Sequence, residues 1–130
     1  DGLLERLAQT RLRLGVVVHA NHPRELDETV RTALARLAAT GVTLLNQAVL
    51  LRGVNDSTTV LAELSEALFA ARVLPYYLHL LDPVRGAAHF DVNETEASAI
   101  IKTLRRRLPG YLTPRLVREQ PGQPAKTLVG

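Results

Sequence analysis

Cysteine and methionine are both absent from the 130 residues. Without cysteine the chain can form neither a disulfide nor a thiolate metal site of its own. Without methionine it has no initiator, and it opens at Asp1, so a fragment or a processed chain is expected. No apolar run is long enough to span a bilayer. The opening stretch DGLLERLAQTRLRLG is amphipathic and charged, unlike a secretory signal, and a cytoplasmic location is the expectation. The common phosphate and hydrolase motifs are missing too. There is no G-x-G-x-x-G, no Walker loop and no His-Glu-x-x-His, and Ser57, Ser65 and Ser98 lack a nucleophile-elbow context. His19 and His22 stand three apart with no third ligand, so no metal site is expected within the chain.

What is present describes a globular protein. Hydrophobic residues make up 46% and charged residues 22%, enough to bury a core. The isoelectric point near 9.8 invites a nucleic-acid reading, but the formal net charge is only +3. The one tight basic cluster is Arg105, Arg106 and Arg107. It reads as a helix end whose cations complement the dipole, because no aromatic residues interleave with it. Neither nucleic acid nor membrane is expected as a partner.

Apolar periodicity alternates between two kinds of segment. LGVVVH (14–19), VTLLNQAVLL (42–51) and VLPYYLH (73–79) read as strands buried on both faces, with a shorter fourth at RLVR (115–118). Between them lie helical patterns. One ends near residue 12; others run from about Glu25 to Thr40, 58 to 72, and Asn93 to about Leu108. Gly41 stops the second, Asp56 or Ser57 caps the third, and Asn93 with Glu96 forms a capping-box-like start for the fourth. The tail EQPGQPAKTLVG reads as irregular. Alternation of this kind implies a parallel α/β sheet, either open and doubly wound or the C-terminal part of a (β/α) barrel, since four units are too few to close one. The sequons at Asn55 and Asn93 are read as turn and cap positions rather than glycosylation sites.

Parallel α/β folds place ligands at the carboxyl ends of their strands. Here those ends carry His19, Asn21 and His22; Asn46 and Gln47 within the second strand; His79 and Asp82; and Arg118 and Glu119. A buried amide is costly unless bonded, so Asn46–Gln47 either ties strands together or faces a ligand. Each residue alone has an ordinary explanation as a loop, turn or surface group. Their convergence on one rim implies a polar ligand. PYYLHLLDPVRGAAHF (75–90) is the densest part, bringing His79, Asp82, Arg85 and His89 close together around a proline and a glycine. Lys126 lies in the tail; a lysine beside such a rim can lose its proton and react with an aldehyde.

The segments NHPREL (21–26), GVTLLNQAVLLRGVND (41–56), RVLPYYLHLLDPVRGAAHF (72–90), GYLTPRLVRE (110–119) and PAKT (124–127) resemble the lysine 2,3-aminomutase family, in its order and spacing. These are radical S-adenosylmethionine enzymes that also use pyridoxal phosphate and a 4Fe-4S cluster. HLLDPVRGAAHF is most similar to the branch that makes β-lysine for elongation factor P. The resemblance implies a radical-SAM (β/α) barrel, with residues 1–130 as the C-terminal portion of one domain and 119–130 as a tail carrying the cofactor lysine. It implies that Lys126 holds pyridoxal phosphate and that Asp82 and Glu119 bind the ammonium of substrate lysine. It places His19, Asn21 and Gln47 on the S-adenosylmethionine side and His79 near the cofactor. The cluster's CxxxCxxC motif is absent, as are the arginines for phosphate and carboxylate, so these are expected upstream and the fragment alone is expected to be inactive. Ser57 stands where catabolic members have a zinc-binding cysteine, so zinc is not implied. A homo-oligomer of the full-length protein is compatible with this picture. The alternative is a non-catalytic half-barrel acting as a binding module.

Overall fold

The computed structural model describes residues 15–81, 90–118 and 127–129. The helix expected to end near residue 12 lies outside them. Strand β1 is Gly15–Val18, β2 Thr43–Leu50, β3 Val73–Leu80 and β4 Arg115–Arg118, all parallel and side by side in chain order. Helices α1 (Glu28–Ala39), α2 (Thr58–Ala70) and α3 (Glu94–Arg107) form the crossovers. A doubly wound sheet reverses its strand order at a switch point; here the order never reverses, as in a barrel wall. The tail contributes an element that its composition concealed. Thr127–Leu128 forms β5, antiparallel to β4, with Arg118 opposite Thr127.

Each helix begins where a side chain can take up free amide groups. Asp27, Ser57 and Asn93 accept from Val30 N (2.9 Å), Val60 N (3.4 Å) and Glu96 N (2.8 Å). The first helix therefore starts at Glu28 rather than Glu25. Residues Pro23–Glu25 instead form a 3-10 turn with its own capping box, in which His22 Nδ1 accepts from Arg24 N and the Glu25 carboxylate accepts from His22 N. Gly41 (φ +91°) ends α1 in the left-handed region that glycine favours. Arg72 (φ +65°) makes the same turn after α2 without that freedom.

The strands are not equally buried on their two faces. Leu44, Ala48 and Leu50 of β2, Val73, Leu78 and Leu80 of β3, and Leu116 of β4 join Leu34, Leu61, Leu64, Leu68, Ala97, Ile101 and Leu104 of the helices in one core. The opposite face is more open: Val17, Leu74 and Tyr76 are exposed, and Leu45, Gln47, Val49, Tyr77 and His79 are half-buried. The continuous apolar runs suggested burial on both sides. All three helices pack on one face; no described helix covers the other, although Val117 there is buried.

A bulge decides which side chains reach that open face. Asn46 pairs with Pro75, but Gln47 pairs with Tyr77, so Tyr76 is an extra residue on β3. An inserted residue reverses the in–out alternation beyond it. Before the bulge Leu74 is exposed and Pro75 buried; after it Tyr77 and His79 lie outward and Leu78 and Leu80 inward. Without the insertion His79 would point into the helix layer. Pro75 fits beside a bulge because it has no N–H to give to the ladder.

Candidate functional site

The carboxyl rim is built on three asparagines whose amides are used by the backbone. Asn46 projects from the helix side of β2 and is 2% exposed. Its Oδ1 accepts from Ala20 N (2.9 Å) and its Nδ2 donates to Ala20 O (3.0 Å), extending the ladder past the last paired residue of β1. Asn21 continues this one residue on, its Oδ1 accepting from Val49 N at 2.9 Å. Asn55 is fully buried. Its Oδ1 accepts from Leu51 N (2.8 Å), and its Nδ2 donates to Asn21 O (2.8 Å) and Val49 O (2.9 Å). For Asn46 the choice between tying strands and facing a ligand is settled in favour of tying. Burial of Asn55 also agrees with reading its sequon as a turn rather than a glycan site.

These ties frame a cavity of about 480 Å³ at the carboxyl ends of β1 and β2. Asn21, His22, Arg24 and Glu25 form one wall, and Leu51, Gly53 and Val54 the other. His22 and Glu25 are engaged in their turn, the Glu25 carboxylate also accepting from Asn21 N. Gly53 (φ +77°) lets the second wall turn sharply, and Asp56 holds it by accepting from Gly53 N at 2.9 Å. The volume lies in the ordinary range for small-molecule pockets. His19 stands exposed just past β1, beside this wall in sequence.

The open face carries a second group of polar side chains. In-register neighbours place Gln47, Tyr77 and Arg115 in one row and Val49, His79 and Val117 in the next. The Gln47 amide takes no part in the bonds that occupy Asn21, Asn46 and Asn55. The Tyr77 ring meets that of Tyr76 at a tilt of 54° (4.4 Å between centroids) and contacts His79 edge-on at 5.7 Å. A hydrogen bond with Tyr76 and partial burial push the Tyr77 phenol above its ordinary range, with the Arg115 cation opposing them. Reading by carboxyl strand ends missed Tyr77 and Arg115, because Tyr77 lies within β3 and Arg115 at the amino end of β4. Strict alternation on β3 does not find Tyr77 either, since it takes no account of the bulge.

Of the expected site residues, His19 and Asn21 lie at the rim and Gln47 and His79 on the open face. Asp82, Glu119 and Lys126 lie outside the described residues, as do Arg85 and His89. Their chain neighbours are described. Leu81 follows β3 directly. Arg118 and Thr127, which flank 119–126, are paired across β4 and β5. Arg52 N donates to Phe90 O (2.9 Å) and Arg52 Nε to Asp91 O (2.8 Å), tying Phe90 and Asp91 to the turn after β2. Arg118 itself pairs with Glu94 at 3.1 Å. Among the described residues no group of three or more His, Asp or Glu could hold a metal ion, and no helix is long and apolar enough to cross a membrane.

No protein-family model matches the chain. It is 54% identical over 127 residues to an Escherichia coli protein named L-lysine 2,3-aminomutase, covering 98% of this chain and 37% of that one. A Haemophilus influenzae protein of the same name is 53% identical over 128 residues, with 98% and 38% covered. One from Clostridium subterminale is 43% identical over 111 residues, covering 85% and 27%. The chain thus spans between 27% and 38% of the length of these curated relatives. Among solved structures, a radical SAM methyltransferase from Sphaerobacter thermophilus superimposes with a TM-score of 0.64 at 20% identity, over 92% of this chain and 38% of that one. That likeness concerns the fold: a wall of parallel strands with helices outside.

Proposed function

We propose that this chain, which corresponds along its length to a C-terminal part of the L-lysine 2,3-aminomutases, supplies one wall of an isomerase that converts L-lysine to β-lysine. The observation that carries the reading is this correspondence over 98% of the chain, at more than half identity. The pairing of Arg118 with Thr127 supports it, because Glu119 and Lys126 are each one residue from that pair. Residues 1–130 are read as the C-terminal portion of a single barrel domain in the cytoplasm. The likeness of HLLDPVRGAAHF (79–90) to the branch that serves elongation factor P is the ground for assigning the chain to that branch.

The residues present suit the groups this chemistry requires. The rim cavity has the size for a nucleoside-bearing ligand, and the S-adenosylmethionine side is assigned to His19, Asn21 and Gln47. Asn21 is held at Oδ1 by Val49 N, at its N–H by Glu25 and at its carbonyl by Asn55, which leaves its Nδ2 for the cavity that it lines. Lys126 is the amine that would hold pyridoxal phosphate, and His79, on the open face, is assigned to the cofactor's surroundings. When bound, the cofactors supply radical generation and stabilisation of the migrating nitrogen; the protein orients them and excludes water. Asp82 and Glu119 are two carboxylates for the distal ammonium of lysine, each able to accept charge-assisted hydrogen bonds. The chain contains no cysteine, so thiolates for a 4Fe-4S cluster come from outside it. No nucleic-acid or membrane partner is proposed, and a homo-oligomer of the whole protein is compatible with this wall.

The test uses the intact protein. Pyridoxal phosphate should acquire the absorption band of a lysine-bound aldehyde, and Lys126→Ala should abolish it. Asp82→Ala should raise the KM for lysine while keeping the band. An unchanged band in Lys126→Ala would refute the assignment and favour a non-catalytic binding module.

A further inference from the structure

We infer that Asn55 is a positioning residue of the rim cavity, setting the spacing of its two walls and hence the affinity for an adenine-nucleoside ligand. This rests on placing S-adenosylmethionine at that cavity. Asn55 is not a lining residue; it lies behind the cavity, fully buried. One amide reaches three backbone groups on two segments that are far apart in sequence. Asn21 O belongs to the first wall, Leu51 N to the second, and Val49 O to the end of β2 between them.

The second wall is shaped locally without Asn55's side chain. Val54 N and Asn55 N both donate to Leu51 O, at 3.1 and 3.2 Å, and Asp56 holds Gly53. The first wall is likewise set by the His22–Glu25 capping box. What neither wall supplies is its distance from the other. Side-chain links set it: the Asn46 amide to Ala20 and Asn21 Oδ1 to Val49 N tie the first wall to β2, and Asn55 Nδ2 to Asn21 O ties it to the second wall's own turn. Only a side chain with both an acceptor and two N–H donors can make the Asn55 set. Aspartate of the same shape keeps the bond from Leu51 N but offers at most one O–H, and so loses at least one of the two donations. Removing such support shifts a wall that remains otherwise intact, and ligand affinity falls with small misplacement.

The experiment measures equilibrium binding of S-adenosylmethionine to the intact, cluster-loaded protein, with pyridoxal phosphate absorbance recorded in parallel. Asn55→Ala and Asn55→Asp are compared with Leu68→Ala, a fully buried core change on α2 that also lowers Tm. The expected result is a Kd for S-adenosylmethionine raised about tenfold or more in both Asn55 variants. Leu68→Ala should stay within about twofold of the unaltered protein despite its lower Tm, because independent sites contribute separately. The pyridoxal band should persist in all three. Equal loss of affinity in Leu68→Ala and the Asn55 variants would overturn the inference, leaving Asn55 a stability residue. If Asn55→Ala does not fold, Asn55→Asp carries the same comparison. Failure of the unaltered protein to bind S-adenosylmethionine would instead overturn the placement of that ligand, and the inference with it.

Discussion

Replacing Asn46 tests whether the rim is held by amides standing in for backbone. In Asn46→Ala, both Ala20 N and Ala20 O lose their partner. Ala20 is 3% exposed, so water cannot replace the amide without opening the strand end. A buried backbone group left unsatisfied costs about 1–3 kcal/mol, and two give about 2–5 kcal/mol when some relaxation is allowed. Urea unfolding of the intact protein should show a lower midpoint with an unchanged m-value. Asn46→Asp sharpens the test. Its carboxyl can accept from Ala20 N but must be protonated to donate to Ala20 O. Burial and that donation both favour the neutral acid, so the folded pKa lies above the unfolded value of about 3.9. Stability of this variant is then greatest below that value and declines as pH rises through the folded pKa. Asn46 itself gives no such slope. A loss below about 1 kcal/mol in Asn46→Ala, or an Asn46→Asp protein insensitive to pH between about 4 and about 8, would refute the reasoning.

Two further predictions concern conformation and ionisation. Arg72→Gly should raise stability by about 1 kcal/mol, read as a higher Tm, because Arg72 holds φ +65° where glycine has no steric cost. Tyr77→Phe should remove a late phase from the alkaline phenolate titration. The Tyr77 pKa is raised in the folded state, chiefly by the Tyr76 hydrogen bond. The stability it contributes is therefore present below the ordinary tyrosine range and is lost as pH rises through the folded value. The difference spectrum between the two proteins at about 295 nm checks this, and a Tyr77 that ionises with or before the other tyrosines would contradict it.

Much of the rim was legible because chain order alone implies it. Apolar runs alternating with 3.6-residue stripes require parallel strands with helical crossovers, and the polar residues at the run ends then fall on one side. That reasoning placed His19, Asn21 and His79 at or near the rim. It could not assign Asn46, because an amide in an apolar run looks the same whether it meets a ligand or a backbone, and it read Asn55 as a turn position without its cross-segment partners. It also missed β5, since a Gly/Pro-rich tail carries no periodicity. The antiparallel pairing of Thr127 with Arg118 arises from the free edge of β4, not from any local preference.

The sequence by itself determined the fold class, the strand and helix order, and, through 54% identity to an L-lysine 2,3-aminomutase, the relationship that underlies the functional proposal. These are properties of periodicity and of residue identity along the chain. The tertiary structure decided what faces what. A single inserted residue, Tyr76, reverses the outward parity of β3 and brings Tyr77 and His79 to the open face. Three asparagines that look alike in sequence are consumed by backbone groups of a different segment, between 26 and 34 positions away for the cross-segment bonds. A hydrogen-bonding partner at that separation is specified by packing, and only the folded sheet supplies it.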